Sequence, residues 1–143
     1  MKIAKLKTSL FLAVITFGAI ASYGQDRFDI VTFTSPKGWQ KEVSSNAVQF
    51  GKEDAQGSVA IIMLFKALPT NADPNTNFKA AWKEIIQGMV TAGDPQQQPE
   101  ANENGWTINS GLAPYESDGK KGVAMLVTAS GGGKMVNTLI LVN

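Results

Sequence analysis

The residues best spaced to hold a metal are Asp73, Asn75, Asn77 and Glu84. They fall at positions one, three, five and twelve of a helix–loop–helix calcium loop, where carboxylate and amide oxygens converge on one cation. Position six of such a loop is a glycine that makes the sharp turn, and here it is Phe78. Asn77 to Glu84 also carry a helical apolar face, so their oxygens would point away from any common centre. A helix start with polar caps is the better account of the same letters. Ser130-Gly131-Gly132-Gly133-Lys134 has the look of a phosphate loop, but the Walker spacing would need Gly at Thr128 and Ser or Thr at Met135. It reads as a flexible hairpin.

The chain has no His and no Cys. That removes His-based triads, thiol nucleophiles, zinc sites built on His or Cys, and c-type haem attachment. Acid–base chemistry would have to rest on Asp, Glu, Lys or Tyr. The carboxylates occur as Asp26 and Asp29, Glu53-Asp54, Glu100 and Glu103, and Glu116 and Asp118, each in or beside an expected turn or terminus. Solvated surface is the expectation for all of them. Trp39, Trp82 and Trp106 could line a ligand cleft, but aromatic residues at strand starts and on a helix face are read as core. No residue is therefore assigned a catalytic, cofactor-binding or metal-binding role, and no cofactor is expected.

The element on which any site must be built is the stretch Asn77 to Val90. Phe78, Ala81, Trp82, Ile85, Ile86, Met89 and Val90 recur at the three- and four-residue spacing of one helix face, with Lys79, Lys83, Glu84 and Gln87 largely opposite. Thr76 or Asn75 is the expected cap, and Gly88 should weaken the helix near its end. So apolar a face needs a flat apolar cover, and β-rich segments lie on both sides of it. Phe28 to Thr34 reads as a first strand, closed by Ser35-Pro36-Lys37-Gly38; Trp39 to Val43 and Ala47 to Phe50 read as short strands. Val59 to Phe65 is apolar at consecutive positions, as in a strand buried on both faces. Pro69 to Thr76 is a loop, and Ala92 to Asn104, with Pro95, Pro99 and three successive glutamines, is a mobile surface loop. After it, Trp106, Ile108 and Leu112 alternate with polar residues; Asp118-Gly119 signals a hairpin; Val123 to Ala129 and Met135 to Val142 complete the strands. The fold class is α+β, a mainly antiparallel sheet with one amphipathic helix across a face.

Lys2, Lys5 and Lys7 precede an apolar run from Leu10 to Ile20, followed by Ala21, Ser22 and Gly24. That is the pattern of a secretory signal, with residues 1–24 removed and a single domain over 25–143. The run is short for a membrane anchor, and with no Cys there is nothing to acylate. Loss of three lysines turns 13 basic against 12 acidic residues into a net negative balance, with the basic groups dispersed except Lys120-Lys121. Nucleic acid is not an expected partner, because no basic stripe is present to displace counterions from phosphates. An exported domain without disulfides must be held by packing alone, and a bacterial periplasm or secreted location is expected.

Phe33-Thr34-Ser35-Pro36-Lys37-Gly38-Trp39, an F-x-x-P-x-G-W start followed by a β meander and a helix with a central Trp, resembles the PsbP-like superfamily, which also includes the Ran-binding Mog proteins. The resemblance covers most of Phe28 to Asn143. It implies an α/β/α sandwich around an antiparallel sheet and a non-enzymatic accessory or partner-binding role, without a set of binding residues to carry over. Family members close with a C-terminal helix, and this sequence ends at Asn143, one residue past an apolar strand. The flank left open is expected to be an interaction surface, for a partner or for self-association, or the place of a helix that this chain lacks.

The function expected is that of an exported binding module. A carboxylate-based hydrolase, which needs two carboxylates facing one cleft, and a carrier of small apolar ligands, which needs a cavity between helix and sheet, are the alternatives. Trp82 is expected to be the central knob, against Ile61, Met63 or Phe65. Met135 to Val142 is expected inside the sheet.

Overall fold

The computed structural model describes residues 24–143. The expected signal sequence therefore lies, but for Gly24, outside the described residues. Chain order runs β1 (Gln25–Phe28), β2 (Val31–Thr34), β3 (Gln40–Val43), β4 (Ala47–Glu53), β5 (Val59–Phe65) and β6 (Leu68–Pro69). Next comes α1 (Pro74–Ala81), which continues through a π-helical turn (Trp82–Ile86) into α2 (Gln87–Met89). The chain finishes with β7 (Thr91–Ala92), β8 (Gln96–Gln97), β9 (Ala101–Glu103), β10 (Trp106–Ser117), β11 (Lys120–Gly131) and β12 (Lys134–Val142).

A single antiparallel sheet organises the molecule, in the order β3-β4-β5-β12-β11-β10-β7, with β6 on β12 and β8 and β9 on β10. β5 and β12 are the interior strands that their continuous apolar runs predict: Ile62 pairs with Ile140, and β12 is flanked by β11 on its other side. Three tight turns join β9 to β12 in sequence. Asn104-Gly105, Asp118-Gly119 and Gly132-Gly133 all have both central residues at positive φ, the type I′ geometry whose twist matches that of paired strands. The glycine run at 131–133 thus makes the expected hairpin, through a compact two-residue turn.

Three expectations are corrected. The segment Phe28 to Thr34 is not one strand: Asp29 takes a positive φ, and the chain doubles back into the β1–β2 hairpin, a separate two-stranded sheet. The Asp29 carboxylate holds this turn by accepting from the Ala67 backbone N–H at 2.9 Å. The helix starts at Pro74, not Asn77, and its cap is Asp73 rather than Asn75 or Thr76. Pro74 supplies a preset φ at the first helical position, and Asp73 accepts from the Thr76 backbone N–H at 3.0 Å and the Thr76 hydroxyl at 2.6 Å. Val90 is already extended. Finally, 92–104 is not an unpaired loop. β7, β8 and β9 each pair with β10, so the segment covers most of an edge that would otherwise expose a twelve-residue strand.

The helical layer crosses one face of the sheet, over β10 and β11. Phe78, Ile86, Leu126 and Leu139 are fully buried there, in a cluster with Trp82, Ile61, Met63 and Leu141. Trp82 is 2% exposed and sits in the same core as Ile61 and Met63, but the helix carrying it lies over β10 and β11, two or more strands along the same face from β5. Gly111 makes the approach possible, since a Cβ there would come within 2.9 Å of Phe78 Cζ and of Pro95 Cβ. A second core lies on the opposite face. Phe33 of the β1–β2 hairpin packs there with Val48, Phe50, Leu64 and Val136, and the partly buried Phe28, Val31, Ile62 and Trp106 pack against this cluster. Its ring meets Phe50 edge-on at 5.5 Å.

Candidate functional site

The calcium-loop residues are occupied with folding. Asp73 caps the helix, and its carboxyl is held below the usual carboxylate range by the Thr76 hydroxyl and backbone N–H. Asn77 is buried under the helix, where its amide donates to the Ser130 hydroxyl at 3.0 Å and its Oδ1 accepts from Thr70 at 2.6 Å. Beside it the Thr128 hydroxyl donates to Asn137 at 2.7 Å, so a small polar layer closes this end of the helix–sheet interface. Asn77 and Glu84 therefore do not face a common centre. Among the described residues, no three His, Cys, Asp or Glu side chains gather as a metal site.

Several carboxylates pin turns in the same way. Asp54 accepts from the backbone N–H of Gln56 and of Ser58 at 2.9 Å. Asp26 accepts from the Ser35 hydroxyl and pairs with Lys41 at 3.1 Å, and these two partners, the hydroxyl first, lower its pKa. Glu100 accepts from Asn109 at 3.1 Å. Glu103 stands across the tight turn from Trp106. Tyr115 has its pKa raised by burial, against the opposing hydrogen bond to Asn143.

A shallow groove of about 440 Å³ runs between the helix and the 94–97 segment. Lys79, Lys83, Gln87, Asp94 and Gln97 line it, with Trp82 at its base. The indole N–H of Trp82 donates to the Gly93 carbonyl at 3.1 Å, and Gln87 donates to the Ala92 carbonyl at 3.2 Å, so both side chains tie the groove's walls together. Trp39 and Trp106 are half-buried and lie outside this groove.

The more prominent surface is on the other side of the sheet. Pairing register places Leu112, Met125, Ile140 and Ile62 in one row across β10, β11, β12 and β5. Pro114, Val123, Val142 and Ala60 form the next row outward, and Ser110, Val127 and Thr138 the row inward. Val123 and Val142, directly opposed, are each 47% exposed. The β1–β2 hairpin covers the inner end of this face, around Val48, Leu64 and Val136, and its core reaches the β5 end of the first row at Ile62 through Phe50. These three rows carry no charged side chain; Glu116 and Lys121, paired with each other, mark where charge resumes. Sequence reasoning expected an open flank without naming these positions. The signal was there, in the alternation of β10 and in Val123, Met125 and Val127 of β11, but it is meaningful only once the register aligns four strands. Comparison of the chain with protein-family models, curated proteins and solved structures finds no match.

Proposed function

We propose that the chain is an exported, non-enzymatic binding module whose working surface is the open sheet face. The observation that carries this reading is the set of uncharged, largely apolar rows across β10, β11, β12 and β5, with Val123 and Val142 about half exposed. An exposed contiguous apolar patch on a folded domain marks an interaction site more often than a chance surface. The PsbP-like resemblance supports the same role: the order of strands, helix and strands, with one helical layer on an antiparallel sheet, fits that plan except for its second helical layer. Export is supported by Lys2, Lys5, Lys7 and the Leu10–Ile20 run.

A hydrolase reading is weaker because Asp26, Asp29, Asp54, Asp73 and Glu100 already hold turns or neighbouring side chains. A carrier reading is weaker because Phe78, Ile86, Leu126 and Leu139 fill the helix–sheet interface. Retention of a partner on immobilised chain, compared between wild type and Val123→Glu, tests the proposal. The wild type should capture or self-associate and the variant should lose that capacity while keeping its far-UV spectrum. Identical behaviour of the two would count against it.

A further inference from the structure

We infer that the open face is closed by the same face of a second copy of this chain, giving two sheets stacked face to face. This rests on the binding reading above and names its partner. Three observations select a second copy. The first is that the Leu112–Ile62, Pro114–Ala60 and Ser110–Thr138 rows are uncharged. Such a surface asks for no complementary charge, so a two-fold axis can bring it against itself without opposing like charges.

The second is size. On β10, β11 and β12, clear of the hairpin, strands at about 4.8 Å spacing and three side-chain rows at about 6.8 Å give on the order of 300 Å² of flat surface. A stable interface buries roughly 800 Å² per partner, with an apolar centre and a polar rim. These rows are the right size for that centre, and Glu116, Lys121 and Lys52 stand around it as rim.

The third is that side-by-side association is obstructed. One edge of the sheet, β10, is largely taken by β7, β8 and β9. The other is β3, whose Gln40-Lys41-Glu42-Val43 is exposed throughout. Antiparallel partners share a face, so a two-fold continuation of the sheet through β3 can pair only positions whose numbers sum to an even value. The longest overlaps this allows, three residues, set Lys41 against Lys41 or Glu42 against Glu42, which is unfavourable. Stacking remains. The β1–β2 hairpin already packs a β layer over the inner end of this face, and a second sheet would continue that layer at the usual spacing of about 10 Å.

Sedimentation velocity on residues 25–143, which contain both cores, across the micromolar range tests the inference. The wild type should reach twice the monomer mass, with a thermal midpoint that rises with concentration. Val123→Glu should be monomeric with a concentration-independent midpoint, and Lys83→Glu, on the helix, should dimerise as the wild type does. Val142→Lys is a second, independent disruptor should the first fail to fold. A wild type that stays monomeric, or a dimer that survives both face variants, overturns the inference. If that monomer still loses a captured protein on Val123→Glu, or floats with lipid vesicles, only the second copy is wrong. If Val123→Glu changes nothing at all, the binding reading falls with it.

Discussion

Trp82 combines two roles that its hydrophobicity alone would not reveal. Its ring is nearly sealed in the core beside Phe78, at a centroid distance of 6.2 Å, while its indole N–H holds the Gly93 carbonyl and so fixes the chain leaving the helix. Trp82→Ala should cost about 3–5 kcal/mol, as for other large buried aromatics, read from urea unfolding; a loss of a few tenths would contradict the packing. Titratable residues make a separate prediction. Asp26 and Asp73 have folded pKa values lowered below the ordinary one, so each stabilises the fold above that value and loses its effect as pH falls below about 4. Tyr115 has a raised value, so its contribution is present below about pH 10 and disappears as pH climbs past it. Stability should therefore fall at both ends. In Asp73→Ala the drop in urea midpoint between about pH 6 and about pH 3 should be smaller than in wild type; an unchanged drop would show that the cap is not linked to the acid limb.

Strand β12 is the element on which the sheet depends, since it joins the β3–β5 half to the β10–β11 half. Its amides from Leu139 to Leu141 should be among the slowest to exchange with deuterium, and those of edge strand β3 among the fastest. Fast exchange at Leu139 and Leu141 would remove β12 from the centre. This strand and β5 were legible in the sequence because burial on both faces writes a continuous apolar run. The Asp118-Gly119 turn was legible because a type I′ turn demands residues that tolerate positive φ. Other elements were hidden for physical reasons. Asp29 adopts positive φ without being glycine, so a β-rich stretch conceals a turn that is fixed by the distant Ala67 N–H. β7, β8 and β9 have no strand pattern of their own and are ordered by the edge of β10. The π-helical turn at Trp82–Ile86 leaves the apolar face nearly intact, so periodicity reads straight through it. The candidate surface was visible only as an expected open flank, because its rows are assembled from four strands by register.

On the scale of the whole molecule, two cores share one sheet. The helix-side core and the hairpin-side core meet through β4, β5 and β12, whose alternate residues face one or the other. They should therefore melt together. Phe33→Ala, in the smaller core, should lower stability by about 3–5 kcal/mol and shift the far-UV and tryptophan-fluorescence transitions equally. If the fluorescence transition stayed while the other moved, the cores would be separate units.

The position of β12 also bears on the order in which the chain acquires structure. Strands β9 to β12 are neighbours both in sequence and in the sheet, linked by three two-residue turns, so they close with little loss of chain entropy. β5 has no such neighbour on its β12 side. Ala60 finds its partner only at Val142, and the Val59 N–H waits for the side chain of Asn143. The early-synthesised half of the sheet thus remains open along β5 until the meander is made. During that interval the most apolar strand of the N-terminal half presents an unpaired edge, and a chain crossing a membrane unfolded would defer this exposure until both halves were on the same side.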